Sequence, residues 1–594
     1  MSEVETVSAT NDVAKRSAEW GSDAIVDFLE ATGIPWIALN PGASFRGLHD
    51  SLVNYAGDDA PGILVCLHEE HAVAIAHGWS KITGTPMAVA LHSNVGLMHA
   101  SMAMYNAWCD RVPMLIIGAT GPLDAAARRP WIDWIHTSAD QPAIVRNFVK
   151  WDDTPTSVPA TLESLARAWD FTRTSPKAPT YVVMDAAVQE ERLTGAVRMP
   201  SVSRGPSVDQ PSASRQSLDR AAALLSTAKR PVILAGPGKR DEASWQRRIQ
   251  LAEALGARVI TDLKAGTMFP MTHPAHVDGP GFFLSSQGKD VLQNADLVLD
   301  LNWIDLAGTL KQAEVQDVPV VSATLDPLLA NGWSKDHQAR PETTVWLPAD
   351  PDDAVESLLD RLPAGKALDM RSQTLDLPPT DAEAITLSIL ASALQLNLAD
   401  SNPTFARLPL GWDGDSWAFD HPLSYLGYDG GGGIGSGPGM SVGAALALKE
   451  TDRLAVSVLG DGDYMMGVQA LWTAANQKIP MLIVVANNRA YFNDVIHQER
   501  VANIRSRDVS RKWVGQQIDD PAPDLAGMAR AQGLVGYGPI SDVEELNDVL
   551  AKAVAEVQSG ASVVVDVVID PGYAPAMVAG LVRESKGKND NDHN

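Results

Sequence analysis

The stretch that decides the fold is Gly460-Asp461-Gly462-Asp463, followed after a helix-length interval by Asn487-Asn488. V-S-V-L precedes the first and M-L-I-V-V-A the second. Both are short, β-branched, buried-type runs of the kind parallel strands use, and Val468 to Gln477 between them reads as a helix. Asp461 and Asn488 are therefore expected at the carboxyl ends of two strands of one sheet, where open α/β folds place ligands. Mg²⁺ takes hard oxygen ligands in an octahedron. The Asp461 carboxylate, the Asn488 side-chain oxygen and the Ala490 carbonyl would leave places for phosphate oxygens and water. Gly460 and Gly462 let the backbone approach those phosphates, and the helix that follows favours their charge. The pattern reads as a Mg²⁺–diphosphate site, with Asp463 beside it at a helix start.

Composition is compatible with that reading. A chain of 594 residues suggests about three to four domains, and its 45% apolar residues can fill substantial cores. Lys and Arg number 47 against 73 Asp and Glu, a net charge of −26, and no basic run argues for nucleic acid as a partner. A local cation and amide nest can bind an anionic cofactor regardless of the global sign. Only Cys66 and Cys109 occur, so neither a disulfide framework nor a CxxC site exists, and a reducing compartment is expected. The first residues, MSEVETVSATNDVAKR, carry no apolar segment of the signal or transit type. No 18-residue apolar run suggests a membrane span, which leaves the cytoplasm as the expected location.

Three α/β blocks follow one another, each expected to be a doubly wound parallel sheet. The first, 17–190, alternates strand-like WIALN, ILVCL, MAVAL, MLIIGA and TYVVM with helical segments. A Pro-, Ser- and Arg-rich linker leads to the second, 215–362, with PVILAG, RVIT, LVLDL and VPVVSAT. Another Pro-rich stretch leads to the third, 381–571. Residues 572–594 form a polar tail without a core-forming pattern.

In the first block, strand ILVCLH runs into Glu69-Glu70-His71, a helix follows, and strand MAVALHS ends at His92. The run Glu69-x7-His77-Gly78-Trp79, taken with the Gly-Asp-Gly…Asn-Asn pattern, resembles the thiamine diphosphate-dependent decarboxylase and acetolactate synthase superfamily. Leu91-His92-Ser93, Asn106-Ala107-Trp108 and Asn40-Pro41-Gly42 are most similar to its benzoylformate decarboxylase branch. The resemblance covers roughly Ser17 to Pro571. It implies pyrimidine-binding, central and diphosphate-binding domains, with Glu69 contacting N1′ of the aminopyrimidine. There the carboxyl group promotes loss of the C2 proton to the 4′-nitrogen, and burial is expected to raise its pKa.

His92 is expected to act as an acid/base or to orient a substrate carboxylate. Two departures from the branch stand out. Ala43 sits where the branch has a substrate-facing serine, with Ser44 one residue late, and the central block lacks the branch's second histidine. His77, in place of the family's Asp, reads as structural.

The glycine run Gly430–Gly439 resembles the family loop that carries a bulky apolar residue under the thiazolium. Ile434 falls on that residue and Gly435 follows it. Tyr491 is expected beside the cofactor, and Phe492 and His497, with Ser44, in the substrate pocket. Gly236-Pro237-Gly238-Lys239 is not a dinucleotide fingerprint, so no FAD is expected. The resemblance implies thiamine diphosphate and Mg²⁺ as cofactors and a homo-oligomer, usually a dimer of dimers, in which Glu69 serves the cofactor of another subunit. Its expected reaction is decarboxylation of a bulky or aromatic 2-oxo acid. An acetolactate synthase-like carboligase, a 2-hydroxyacyl-CoA lyase and a non-catalytic regulatory subunit are the alternatives.

Overall fold

The computed structural model describes residues 16–202, 211–277, 279–329, 341–365, 369, 382–573 and 577–578. Most of the linker around 203–210, of the Pro-rich stretch 366–381 and of the tail lies outside them.

The apolar runs form strands that are buried on both faces, as helices on either side of a parallel sheet require. The first sheet comprises β1 (Trp36–Leu39), β2 (Gly62–Val65), β3 (Met87–Leu91), β4 (Met114–Thr120), β5 (Trp151–Asp153) and β6 (Pro179–Asp185). Their order is β2-β1-β3-β4-β6-β5, all parallel. The central sheet is β7 (Pro231–Ala235), β8 (Arg258–Ile260), β9 (Leu297–Leu301), β10 (Val320–Ala323) and β11 (Val345–Leu347), ordered β11-β10-β9-β7-β8. The third is β12 (Asn402–Arg407), β13 (Arg453–Gly460), β14 (Met481–Asn487), β15 (Val535–Ile540) and β16 (Ser562–Val568), ordered β12-β13-β14-β16-β15. All pairs are parallel here too. The chain is thus three parallel α/β domains.

Topology brings chemistry together at two places. In the first sheet the chain leaves β1 toward β2 and returns to β3 on its other side, so the ends of β1 and β3 open a crevice between them. Leu39 pairs with Ala90 there, which sets Asn40-Pro41-Gly42 beside His92. In the third sheet β13 and β14 are neighbours, with Gly460 opposite Ala486.

Two helix boundaries differ from expectation. Strand β2 ends at Val65, and a helix starts at Glu69 because the His68 side chain caps it by accepting the Glu70 amide. After β13 the helix starts at Asp461 and runs to Gly467, with a second from Ala470 to Gln477. The single helix expected from Val468 therefore begins seven residues earlier and is broken.

The first and third domains share one apolar core, joined where the helix Glu69–Thr83 crosses the helix Gly437–Leu448. Glycines allow the contact. A Cβ at Gly78 would strike the Met440 carbonyl, and one at Gly443 the Ile75 carbonyl. Among the described residues no helix is long and apolar enough to cross a membrane.

Candidate active site

At the end of β13, Asp461 is buried, and its carboxylate accepts the amides of Gly462 at 2.9 Å and Ala490 at 3.1 Å. The Asn488 side-chain oxygen also takes the Ala490 amide, at 3.0 Å, so Asp461, Asn488 and Ala490 converge on one spot. Arg489 adopts φ 57° to make this turn. Burial pushes the Asp461 carboxyl up to about 6, against the backbone hydrogen bonds that favour its charge. No cationic side chain is in ion-pair distance of it among the described residues. Gly462 approaches Tyr491 so closely that a Cβ would lie 2.6 Å from the ring, whereas a Cβ at Gly460 would meet nothing within 4 Å.

Asp463 turns away from that spot. Its Oδ1 accepts the amides of Gly435 at 2.6 Å and Gly437 at 3.2 Å, so it caps the helix before it in sequence, not its own. Buried Arg407 stands 3.6 Å from Asp463, 2.9 Å from the fully buried Asp429, and 3.8 Å above the Tyr428 ring. Asp429 in turn accepts the Gly432 amide and the Ser436 hydroxyl. From the first domain, Asn106 exchanges two hydrogen bonds with the backbone of Gly433. The glycine run is therefore a clamped loop rather than a linker, and it presents the half-buried Ile434 between fixed neighbours.

The second cluster lies at the crevice of the first sheet. Ser44 Oγ and His92 Nδ1 are 2.8 Å apart, so the serine that is one residue late still reaches the histidine. The His136 ring stands edge-on to His92, with centroids 4.8 Å apart. Burial first, then His136, hold the His92 pKa below its usual value, which keeps the imidazole neutral at pH 7.

Glu69 is buried, with Oε2 3.0 Å from His99 Nδ1. Burial alone would raise its pKa, as expected from the sequence. Hydrogen bonds from His99, its own amide and Asn40 outweigh that, and the carboxyl lies below its usual value. The expectation of a raised pKa is corrected accordingly. Ligand atoms of His68, Glu69 and His99 all lie within 4.8 Å of one another. They do not make a metal cage: the His68 and His99 rings are stacked, and His68 Nδ1 is taken by the Glu70 amide.

Phe492, at the start of the helix Phe492–Ile504, packs between Trp513 and Tyr573, and His497 is half-buried further along the same helix. His77 is buried with Nε2 2.7 Å from Asp110, which also binds Lys81 at 2.5 Å, and so has a structural role.

The residues the sequence reading passes over are His99, His136, Arg407 and Asp429, and Asn40 enters it only as part of a turn. His99 carries a signal: it lies two helical turns after His92, on the helix that brings Gly96 against Glu69. Arg407 and Asp429 carry none, because their pairing spans 22 residues of irregular chain.

A buried carboxylate and an amide oxygen at adjacent strand ends, a clamped glycine loop and a glutamate at a helix start define a cofactor-dependent α/β enzyme. Residues 19–144 match the N-terminal TPP binding domain of thiamine pyrophosphate enzymes. Residues 218–328 match their central domain, and 411–567 their C-terminal TPP binding domain. The chain belongs to the thiamine pyrophosphate enzyme family. The large subunit of acetolactate synthase isozyme 3 of Escherichia coli (strain K12) is 23% identical, over 93% of this chain and 95% of that one. Acetolactate synthase of Bacillus subtilis (strain 168) is also 23% identical, over 93% of each. Among solved structures, benzoylformate decarboxylase from Polynucleobacter necessarius superposes with a TM-score of 0.77 at 20% identity, over 93% of this chain and 99% of that one. The 4-hydroxybenzoylformate decarboxylase of Rhodococcus jostii RHA1 gives 0.76 at 19%, with the same coverage. These likenesses show the same fold.

Proposed function

We propose that this thiamine diphosphate enzyme decarboxylates a bulky or aromatic 2-oxo acid. The observation that carries the reading is the Ser44–His92 pair, 2.8 Å apart at the crevice that also leads to Glu69. When bound, thiamine diphosphate supplies the electron sink for cleaving the bond to the carboxylate. Asp461, Asn488 and the Ala490 carbonyl would hold Mg²⁺ and, through it, the diphosphate. The donor set fits a hard cation, because a buried carboxylate without a cationic partner is costly unless a metal neutralises it. Glu69 would hold a proton at N1′ of the aminopyrimidine, and Ile434 would support the thiazolium from the clamped loop.

With Nδ1 engaged by Ser44, His92 presents Nε2 to the substrate. A neutral imidazole there accepts and returns a proton rather than standing as a fixed cation. The aromatic group of Phe492, Trp513 and Tyr573 follows directly on Tyr491, which touches Gly462, and favours a bulky substrate. Tyr491 and His497 belong to the same wall. The curated relatives support a second reading, an acetolactate synthase-like carboligase. A 2-hydroxyacyl-CoA lyase and a regulatory subunit come after it.

The central domain is proposed to hold no flavin. The Lys239 amide at its glycine turn is taken by Asp352 at 2.6 Å, and its ammonium by Asp353. An anionic group would meet carboxylates there. We place the enzyme in the cytoplasm as a homo-oligomer. Exposed Leu67, Val95, Met98, Met102, Trp131 and Trp134 near the site support a covering second copy. The test incubates the protein with Mg²⁺, thiamine diphosphate and 2-oxo acids from pyruvate to benzoylformate. Fast CO₂ release with aldehyde from the aromatic members is expected. No CO₂ from any member, with cofactor bound, would refute decarboxylation.

A further inference from the structure

We infer that His99 is a positioning residue for the reaction: its Nδ1 holds Oε2 of Glu69 and leaves Oε1 as the oxygen that exchanges the working proton. The inference rests on the role of Glu69 proposed above. Its geometry is independent of substrate. The helix Ser93–Cys109 comes against Glu69 twice on one face. At Gly96 a side chain would crowd the glutamate, a Cβ lying 3.0 Å from Cγ and 3.1 Å from Oε1. One turn later His99 Nδ1 stands 3.0 Å from Oε2.

The histidine is itself held. The His68 ring stacks on it, with centroids 4.8 Å apart and planes 21° apart, and His68 is pinned by the Glu70 amide and by contact with His71. The His99 side chain is 49% exposed on its outer side, while Glu69 is buried with one oxygen committed to it.

Glu69 is faced by His99 from one helix, by Asn40 from the turn after β1, and by His92 from the end of β3. His99 is faced by Glu69, Glu70 and His68. A donor on Oε2 favours the carboxylate over the acid, so Glu69 stays ready to take a proton at pH 7 despite its burial. A glutamate in a purely apolar pocket would be protonated over much of that range. His99 therefore extends the acid side of the working pH range.

The test compares His99→Leu with His99→Asn, whose amide nitrogen can replace Nδ1 as a donor. In cofactor-free protein, Glu69 titration is followed by its carboxyl C=O infrared band, assigned by difference against Glu69→Gln. The midpoint is expected to rise in the Leu variant and to return toward the native value in the Asn variant. In the loaded enzyme the acid limb of kcat/KM should move to higher pH in the Leu variant, with a loss of about ten- to a hundredfold below the optimum. The Asn variant should recover most of it. An unmoved infrared midpoint in the Leu variant, or an Asn variant as impaired as Leu in both readouts, overturns the proposal. If the midpoint moves but no 2-oxo acid is turned over by the native protein, His99 keeps its role toward Glu69 and the proposed reaction falls instead.

Discussion

Gly42→Ala tests the placement of His92 without touching its chemistry. Gly42 is extended, at φ −158° and ψ 145°, a conformation alanine adopts freely, so the substitution acts only through the added methyl. That methyl would sit 2.1 Å from His92 Cγ and 2.5 Å from Nδ1, where ordinary contact begins at 3.4 Å. The ring must therefore retreat by about 1.3 Å at Cγ, carrying with it the Nδ1 that meets the Ser44 hydroxyl. A misplacement of about 1 Å can reduce turnover about 10²-fold, equivalent to about 2.7 kcal/mol of barrier. Crowding should also lower stability by about 1–3 kcal/mol. Steady-state decarboxylation gives the rate, thermal melting the stability, and tryptophan fluorescence the affinity for thiamine diphosphate. Affinity should be unchanged, because His92 is not among the residues proposed to hold the cofactor. Ser44→Ala should show a milder loss of about tenfold or less, that of one hydrogen bond. A Gly42→Ala enzyme of native rate would refute the role given to His92. A parallel loss of cofactor affinity would show that His92 belongs to cofactor binding instead.

Asp461→Ala should weaken Mg²⁺-dependent retention of thiamine diphosphate more than about 10²-fold in equilibrium dialysis, with the metal-free melting temperature maintained. Unchanged retention would refute the metal site. Arg407→Ala leaves Asp429 buried without its cation, which should cost about 3–5 kcal/mol in denaturant titrations and loosen the glycine loop toward proteolysis.

His71 is buried against Gln469, and burial holds its pKa down to about 4. Its contribution to stability is complete above the unfolded value near 6.5 and is lost as pH falls toward 4. His71→Gln should flatten up to about 3 kcal/mol of that acid loss, read from melting temperatures across the interval. Gly443→Ala drives a methyl into the Ile75 carbonyl and should lower stability by about 1–3 kcal/mol, with cofactor affinity falling alongside.

The strands with continuous apolar runs were legible because both faces are buried and the runs are rich in β-branched residues, unlike the alanine-rich run Ala72–Ala76 inside a helix. Trp151–Asp153, Val345–Leu347, Asn402–Arg407 and Val535–Ile540 are each the last strand of a sheet. There one side is unpaired and polar residues, Pro403 and Pro539 are tolerated. The exception is Ser562–Val568, an inner strand whose valine run the reading passes over. Asp461, Asn488 and Ala490 were legible as a set because two strand ends in one sheet fix their separation. Glu69 was legible in position but not in charge state. Its burial is local to the sequence pattern, whereas His99 and Asn40 reach it from other elements, and only the fold reveals that their hydrogen bonds prevail.

The glycine run shows most clearly why composition misleads. Read alone, Gly430–Gly439 is a flexible spacer, yet Asp429, Asp463 from the helix after β13 and Asn106 from the first domain all grip it, with Arg407 from β12 holding both carboxylates. Side chains are missing from the loop because the space beside it is already filled. A Cβ at Gly431 or Gly433 would enter Asn106 or Met102, and one at Gly437 would enter Asp463. The same logic joins the two stretches of the chain that carry site residues. Glu69 opens one helix and the clamped loop opens another, and those helices touch backbone to backbone at Gly78 and Gly443. A displacement of either helix must move both the proton-handling carboxylate and the loop bearing Ile434. Glycine at the crossing therefore fixes the relative placement of Glu69 and Ile434, 365 positions apart, each proposed to serve a different cofactor of the oligomer.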